Sequence, residues 1–153
     1  PEISARAAIL MDMKTDKIMF AKNSNEKLPI ASISKIFTAL AVYDKIPTDK
    51  IITITQDAVD TEGLAGDLKP GEEFRAGDLI DLMLICSSND AAVQFSKEAA
   101  GGKKDFAALM NKKANELGLK NTSFVEPSGL SEQNISTAFE IAQTADATFG
   151  RVP

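Results

Sequence analysis

Two serine–lysine pairs in the sequence have the spacing that a nucleophile and its base require. They are Ser24 with Lys27 and Ser32 with Lys35. Residues three apart lie on one face of a helix, so a hydroxyl and an amine at this spacing can meet. Burial disfavours the charged form of a lysine and lets its amine act as a base. The spacing is compatible with a serine nucleophile activated by lysine, but chance alone produces such pairs in a chain with this many serines and lysines, so the surrounding sequence must decide.

The absence of histidine from all 153 residues narrows the possible chemistry. Neither a Ser-His-Asp triad nor a Cys-His pair can form within such a chain. Histidine and cysteine supply most zinc ligands, and Cys86 is the single cysteine, so a zinc site is nearly excluded. We expect no other metal and no cofactor. Because an apolar run precedes Cys86 and no histidine is available to deprotonate it, we predict a buried structural thiol.

Sequence context favours Ser32 over Ser24 as the nucleophile. Ser24 lies in a polar stretch that predicts a solvent-exposed loop, whereas Ser32 begins an apolar-striped helix predicted over about 32–44. At a helix start, free backbone N–H groups can stabilise a developing oxyanion. On the Ser-x-x-Lys spacing alone, the alternative is that Ser32 only caps the helix and Lys35 lies on the surface.

A second polar group, Ser87-Ser88-Asn89, separates two apolar runs. Such a group can present a hydroxyl and a carboxamide to a cleft. It can equally cap a helix that begins near Asp90, and the two interpretations are compatible.

The elements that must position these residues are predicted from hydrophobic periodicity. Residues 6–22 predict a β-hairpin, and about 56–149 predict a helical subdomain in which residues 56–77 form loop and turn. Thr137 and Glu140 have the spacing of a capping box for the last helix. A lone hairpin is a poor sheet, so further strands are expected to be missing.

The nucleophile segment resembles a known family. Residues 29–40 (PIASISKIFTAL) are similar to the nucleophile segment of the serine-type D-alanyl-D-alanine carboxypeptidases, the low-molecular-mass penicillin-binding proteins. Residues 84–92 (LICSSNDAA) resemble their Ser-x-Asn motif. Further matches at 68–72, 121–124 and 127–130 extend the resemblance, in order, over essentially the whole chain.

This resemblance implies a mixed α/β fold of the β-lactamase and penicillin-binding-protein transpeptidase type, with N-terminal strands and a helical subdomain. It also implies the roles of four residues. Ser32 would attack the penultimate D-alanine of a peptidoglycan stem peptide, and Lys35 would take its proton. Ser87 would relay a proton to the leaving D-alanine, and Asn89 would bind the substrate amide. β-Lactam antibiotics would acylate Ser32 as covalent inhibitors.

The third motif of the family, Lys-Thr-Gly, does not occur in the sequence. Lys14-Thr15-Asp16 precedes the nucleophile and lacks the glycine. In the family this motif lies on a strand further along the chain, where it completes the central sheet. We therefore interpret residues 1–153 as a single partial catalytic domain whose C-terminal sheet strands are missing. A separate C-terminal fragment is one way to complete it. Smaller departures are Ser34, where threonine is common, and Ser128, where histidine is frequent.

Two other functions stay open at this stage. A class A-like β-lactamase needs a carboxylate that activates the deacylating water, and Glu126 lies in a suggestive place, although Gly129-Leu130 does not continue the expected Leu-Asn. A non-catalytic module that binds peptidoglycan or a partner is the second alternative.

Charge and hydropathy bear on partners and location. The net charge of −5 argues against nucleic acid. No apolar run could cross a bilayer, so a membrane anchor would lie outside these residues. The substrate of the family implies an extracytoplasmic location in the cell envelope.

Overall fold

The N-terminal part of the chain folds as a β-hairpin, as predicted. A computed structural model describes residues 2–63 and 66–149; the remaining positions of the predicted catalytic domain 1–153 lie outside the described residues. Strand β1 (Ala8–Asp12) pairs antiparallel with β2 (Lys17–Lys22), with an irregularity between Leu10 and Met11. The hairpin stands as a two-stranded sheet among the described residues.

The other strands are short and also pair two by two. Strand β3 (Leu28–Pro29) pairs with β6 (Ile135–Ser136), which ties the segment before Ser32 to a distant loop. Strand β4 (Ile51–Thr53) pairs with β5 (Glu73–Arg75). The prediction that residues 56–77 are only loop and turn is wrong at its two ends. One helical turn forms where Ala58 is buried, and β5 forms because Glu73–Arg75 has β4 as a partner.

Six α-helices are present in the described residues, and the longer ones lie close to the predicted positions. They are α1 (Ser34–Tyr43), α2 (Gln56–Val59), α3 (Ala76–Ile85), α4 (Asn89–Ala100), α5 (Lys103–Glu116) and α6 (Ala138–Phe149). Helix α1 contacts α3, α4 and α5, so it is the central element of the helical part. The mixed α/β class is confirmed.

The hydrophobic core surrounds α1. Phe37 is completely buried, and its ring lies 4.6 Å from that of Phe124 between centroids, in a tilted arrangement. Apolar side chains of the neighbouring helices close the core around it, among them Leu79, Met83, Phe95, Phe106 and Met110. Burial of Phe37 fixes the orientation of α1 and with it the direction in which Lys35, which is also buried, points.

The capping box predicted for the last helix forms only in part. The Thr137 hydroxyl accepts a hydrogen bond from the Glu140 N–H at 3.1 Å, as a cap should. The Glu140 carboxylate, however, turns to the 120–122 segment, where it accepts hydrogen bonds from Lys120 N, Asn121 N and the Thr122 hydroxyl. Glu140 therefore connects α6 to the loop after α5 rather than closing its own helix.

The prediction of a buried thiol at Cys86 is wrong. Cys86 is exposed, and the apolar side chain before it, Ile85, is 82% exposed. Both lie at the C-terminal end of α3, whose buried residues are nearer its start.

The hairpin also carries exposed apolar side chains, Leu10, Ile18 and Met19. Among the described helices, none combines the length and apolar character needed to cross a membrane.

Candidate active site

Ser32 lies in a tight turn that leads into α1. Residues Ala31–Ile33 form a 3-10 helix, and the α-helix begins only at Ser34, two residues later than predicted. Ala31 has a positive φ of 46°, an unusual conformation for a residue other than glycine. The turn leaves the Ser32 side chain exposed and directly above the first turn of α1. A substrate can therefore reach its hydroxyl.

Lys35 lies one turn further and is only 2% exposed. Its amine donates three hydrogen bonds: to Ser32 Oγ at 3.1 Å, to Asn89 Oδ1 at 2.8 Å and to the backbone carbonyl of Ser128 at 2.7 Å. The acceptors come from the 3-10 turn before α1, from α4 and from the loop before β6. The alternative interpretation, in which Lys35 lies on the surface, is therefore wrong.

Burial lowers the pKa of Lys35 below its ordinary value, and the negative charge of Glu126 opposes part of this decrease. The three contacts also define how a neutral amine would sit. A neutral amine keeps two hydrogens and one lone pair. The two shorter contacts are to acceptors that cannot donate, a carboxamide oxygen and a carbonyl, so the hydrogens satisfy these. The lone pair then points at the Ser32 hydroxyl, which is the geometry of a general base.

Asn89 is held from both sides of its carboxamide. Its Oδ1 accepts from Lys35, and its Nδ2 donates to the Glu62 carbonyl at 3.2 Å. Ser88 caps α4, because its hydroxyl accepts from Ala91 N at 3.0 Å. The capping function predicted for this polar group is therefore correct, and Asn89 faces the site from the first residue of the helix.

Ser87 is placed differently from the other predicted site residues. It is half-buried and has a positive φ of 57°, and no side-chain hydrogen bond joins it to Ser32, Lys35 or Asn89. The structure thus brings Ser32, Lys35 and Asn89 together by direct contacts and places Ser87 two residues from Asn89.

The alternative serine, Ser24, lies in a turn after β2. It is half-buried rather than exposed as predicted, because α6 packs against this turn and Phe139 N donates to the Ser24 carbonyl at 3.0 Å. Lys27 is exposed, so this pair lacks the burial that a lysine base requires.

Loop 126–134 supplies site contacts that motif analysis missed. The Ser128 carbonyl accepts from Lys35, and the Pro127 carbonyl accepts from the Thr38 hydroxyl at 2.6 Å. Asn134 Nδ2 donates to the buried Ser34 hydroxyl at 3.0 Å, so serine performs this contact where threonine is common in the family. The only signal in the sequence was the turn at 127–129. In the part of the chain that the structure describes, no group of three acidic or cysteine side chains could hold a metal ion.

Comparison with known proteins places this geometry in a family. The fold is that of the penicillin-binding proteins and D-alanyl-D-alanine peptidases. DacD from Francisella tularensis superposes with a TM-score of 0.92 at 30% identity over 99% of this chain and 38% of that chain. Penicillin binding protein 6B from Escherichia coli superposes with a TM-score of 0.91 at 31% identity, and the match covers 100% of this chain and 52% of that chain.

The chain belongs to the D-alanyl-D-alanine carboxypeptidase family, which matches residues 1–152. Among curated relatives, DacF from Bacillus subtilis is 38% identical over 90% of this chain and 37% of its own length. A D-alanyl-D-alanine endopeptidase from Pseudomonas aeruginosa is 36% identical over 93% of this chain and 46% of its own. The chain thus spans less than half the length of these relatives.

Proposed function

We propose that this chain carries the nucleophile part of a serine-type D-alanyl-D-alanine carboxypeptidase that shortens peptidoglycan stem peptides. The observation that supports this most directly is the Lys35 amine, held between Asn89 Oδ1 and the Ser128 carbonyl with its third contact to Ser32 Oγ. Such an amine can take a proton from the serine hydroxyl without any imidazole.

The reaction follows from the roles that the resemblance to the family implies for these groups. Ser32 Oγ attacks the carbonyl carbon of the penultimate D-alanine while its proton passes to Lys35. The tetrahedral intermediate collapses, the peptide bond breaks, and the terminal D-alanine leaves as an amine after receiving a proton through Ser87. Water then hydrolyses the ester on Ser32 and regenerates the hydroxyl. Asn89 has one carboxamide N–H left beside its contact to Glu62, and this N–H can bind the substrate amide.

The structure disfavours the β-lactamase alternative. The Glu126 carboxylate accepts hydrogen bonds from Ser128 N at 2.7 Å and Gly129 N at 2.6 Å, and also from Asn134 Nδ2 at 2.9 Å. A carboxylate occupied in this way is poorly available to activate a deacylating water. Slow turnover of a chromogenic cephalosporin, with an acyl-enzyme that persists, is the expected outcome.

Further sequence, or a separate fragment, would complete the domain of which residues 1–153 form one part. An apolar groove supports this proposal. It runs between β1, the turn at Ile30 and Ile33, and α6 at Ile141, and C-terminal strands with the Lys-Thr-Gly motif would cover it. We place the protein in the extracytoplasmic cell envelope with peptidoglycan as its partner, held there by an anchor outside these residues if it has one.

Covalent labelling by a fluorescent penicillin tests the function. The protein is used together with the segment that carries the Lys-Thr-Gly motif, since this segment completes the family's catalytic site. Ser32→Ala should abolish labelling, whereas Ser24→Ala, the matched serine of the other Ser-x-x-Lys pair, should retain it. Labelling of Ser32→Ala equal to that of the unsubstituted protein would refute the nucleophile assignment. No labelling of the unsubstituted protein would favour a non-catalytic binding module.

A further inference from the structure

One peptide unit lies between the lysine amine and a carboxylate. The Ser128 carbonyl accepts from Lys35 Nζ at 2.7 Å, and the N–H of the next residue, Gly129, donates to Glu126 Oε1 at 2.6 Å. The described residues contain no cis peptide bond, so the C=O and N–H of this unit point in opposite directions. A carboxylate that fixes the N–H therefore aims the carbonyl at the lysine.

The same carboxylate fixes the rest of the loop. It accepts from Ser128 N at 2.7 Å, from the Ser128 hydroxyl at 2.6 Å and from Asn134 Nδ2 at 2.9 Å. Asn134 in turn donates to Ser34 Oγ at 3.0 Å, and its carbonyl accepts from Ile30 N at 3.0 Å. Glu126 is thus tied to the chain on both sides of Ser32 without touching Ser32 itself.

We propose that Glu126 is a positioning residue for the base of the reaction. It acts through the Ser128–Gly129 peptide unit, whose carbonyl holds one amine hydrogen of Lys35 and so keeps the lone pair on Ser32 Oγ. Hydrogen bonding of the N–H to a charged acceptor also polarises the unit and strengthens its carbonyl as an acceptor. This inference rests on the proposed function, in which Lys35 is the base.

The charge of Glu126 affects the pKa of Lys35, which a purely structural role of Glu126 would leave unchanged. Glu126 raises the pKa of Lys35 against the decrease caused by burial. The other elements around the amine bring neutral or otherwise engaged groups. Asn89 is uncharged, Asp90 turns its carboxylate to Ser88 and to Gly66 N, and Glu62 contributes its backbone carbonyl. Removing the charge of Glu126 should therefore lower the pKa of Lys35.

The experiment measures penicillin acylation rates as a function of pH, in the protein that includes the Lys-Thr-Gly segment. Glu126→Gln should lower the plateau rate about ten- to a hundredfold through misplacement of the amine. It should also shift the half-maximal point to lower pH. Glu126→Asp keeps the charge but shortens the reach, so it should lower the plateau and leave the half-maximal point in place. Glu132→Gln, a matched charge removal at an exposed position of the same loop, should change neither.

The outcomes separate the two proposals. For Glu126→Gln, either an unchanged plateau or an unshifted half-maximal point would overturn the positioning role while the proposed function stands. If far-UV circular dichroism shows that Glu126→Gln does not fold, Glu126→Asp decides, and an unchanged plateau would overturn the inference. No acylation of the unsubstituted protein would overturn the proposed function and this inference with it.

Discussion

Replacing Gly129 by alanine should show how closely loop 126–134 is packed on the turn that contains Ser32. A Cβ at this position would lie 2.9 Å from Ser32 N and still closer to the carbonyl of Ala31. These are backbone atoms, so no side chain can rotate away to make room. Gly129 also has a φ of +89°, which side chains other than glycine rarely adopt.

The expected loss of stability has two parts. The positive φ costs an alanine about 1–2 kcal/mol. Retreat of the loop from the Ala31–Ser32 peptide would also break at least one charge-assisted hydrogen bond, Lys35 to the Ser128 carbonyl or Gly129 N to Glu126, at about 1.5–3 kcal/mol. The free energy of unfolding should therefore fall by about 3–5 kcal/mol.

Gly71→Ala is the matched control, because Gly71 has a φ of +87° and a Cβ there would meet nothing within 4 Å. It should cost only the conformational part, about 1–2 kcal/mol. Urea unfolding followed by far-UV circular dichroism measures both values, and penicillin acylation should slow only in Gly129→Ala. Equal destabilisation by the two substitutions would refute the reasoning, since it would mean that the loop yields freely at Ser32.

Three further substitutions test other parts of the structure. Asn89→Asp places a second carboxylate at the buried lysine, which should raise the pKa of the amine and move the half-maximal point of acylation to higher pH. Phe37→Ala should lower the free energy of unfolding by about 3–5 kcal/mol in urea denaturation, whereas Ile36→Ala, its partly exposed neighbour in α1, should cost about 1 kcal/mol or less. Glu140→Ala leaves several buried donors without an acceptor and should cost about 3 kcal/mol in the same measurement, while the exposed Glu132→Ala should cost less than about 0.5 kcal/mol.

The local part of the site was predictable because it depends on helical spacing. Ser32 and Lys35 are three residues apart, and the apolar stripe of the following helix indicates which side is buried. The helices followed from the same periodicity, and the hairpin at 6–22 followed from two short apolar runs separated by a polar segment. Even here the detail differs, because a 3-10 turn at Ala31–Ile33 precedes the α-helix and exposes Ser32 above it.

The distant part of the site could not be derived from spacing. Asn89 is 54 residues from Lys35 and Ser128 is 93 residues away, so only the tertiary fold brings them together. The resemblance to the family supplied Asn89 because the family's motif is a side chain. No feature of the sequence pointed to the Ser128 carbonyl as a contact of Lys35, since every residue has a backbone carbonyl. The prediction of a buried Cys86 was wrong for a related reason, because an apolar run does not show whether another part of the protein covers that run.

The contact made by Ser128 explains why this position accepts different residues. Lys35 is held by the backbone carbonyl of Ser128, not by its side chain, and the side-chain hydroxyl donates to Glu126 instead. A residue of another type can keep the carbonyl in place provided that the loop backbone is fixed by other means. Serine here, where histidine is frequent in the family, therefore leaves the lysine contact intact. The residue type matters instead at Gly129, whose missing Cβ allows the loop to approach Ser32, and at Glu126, which orients the peptide unit.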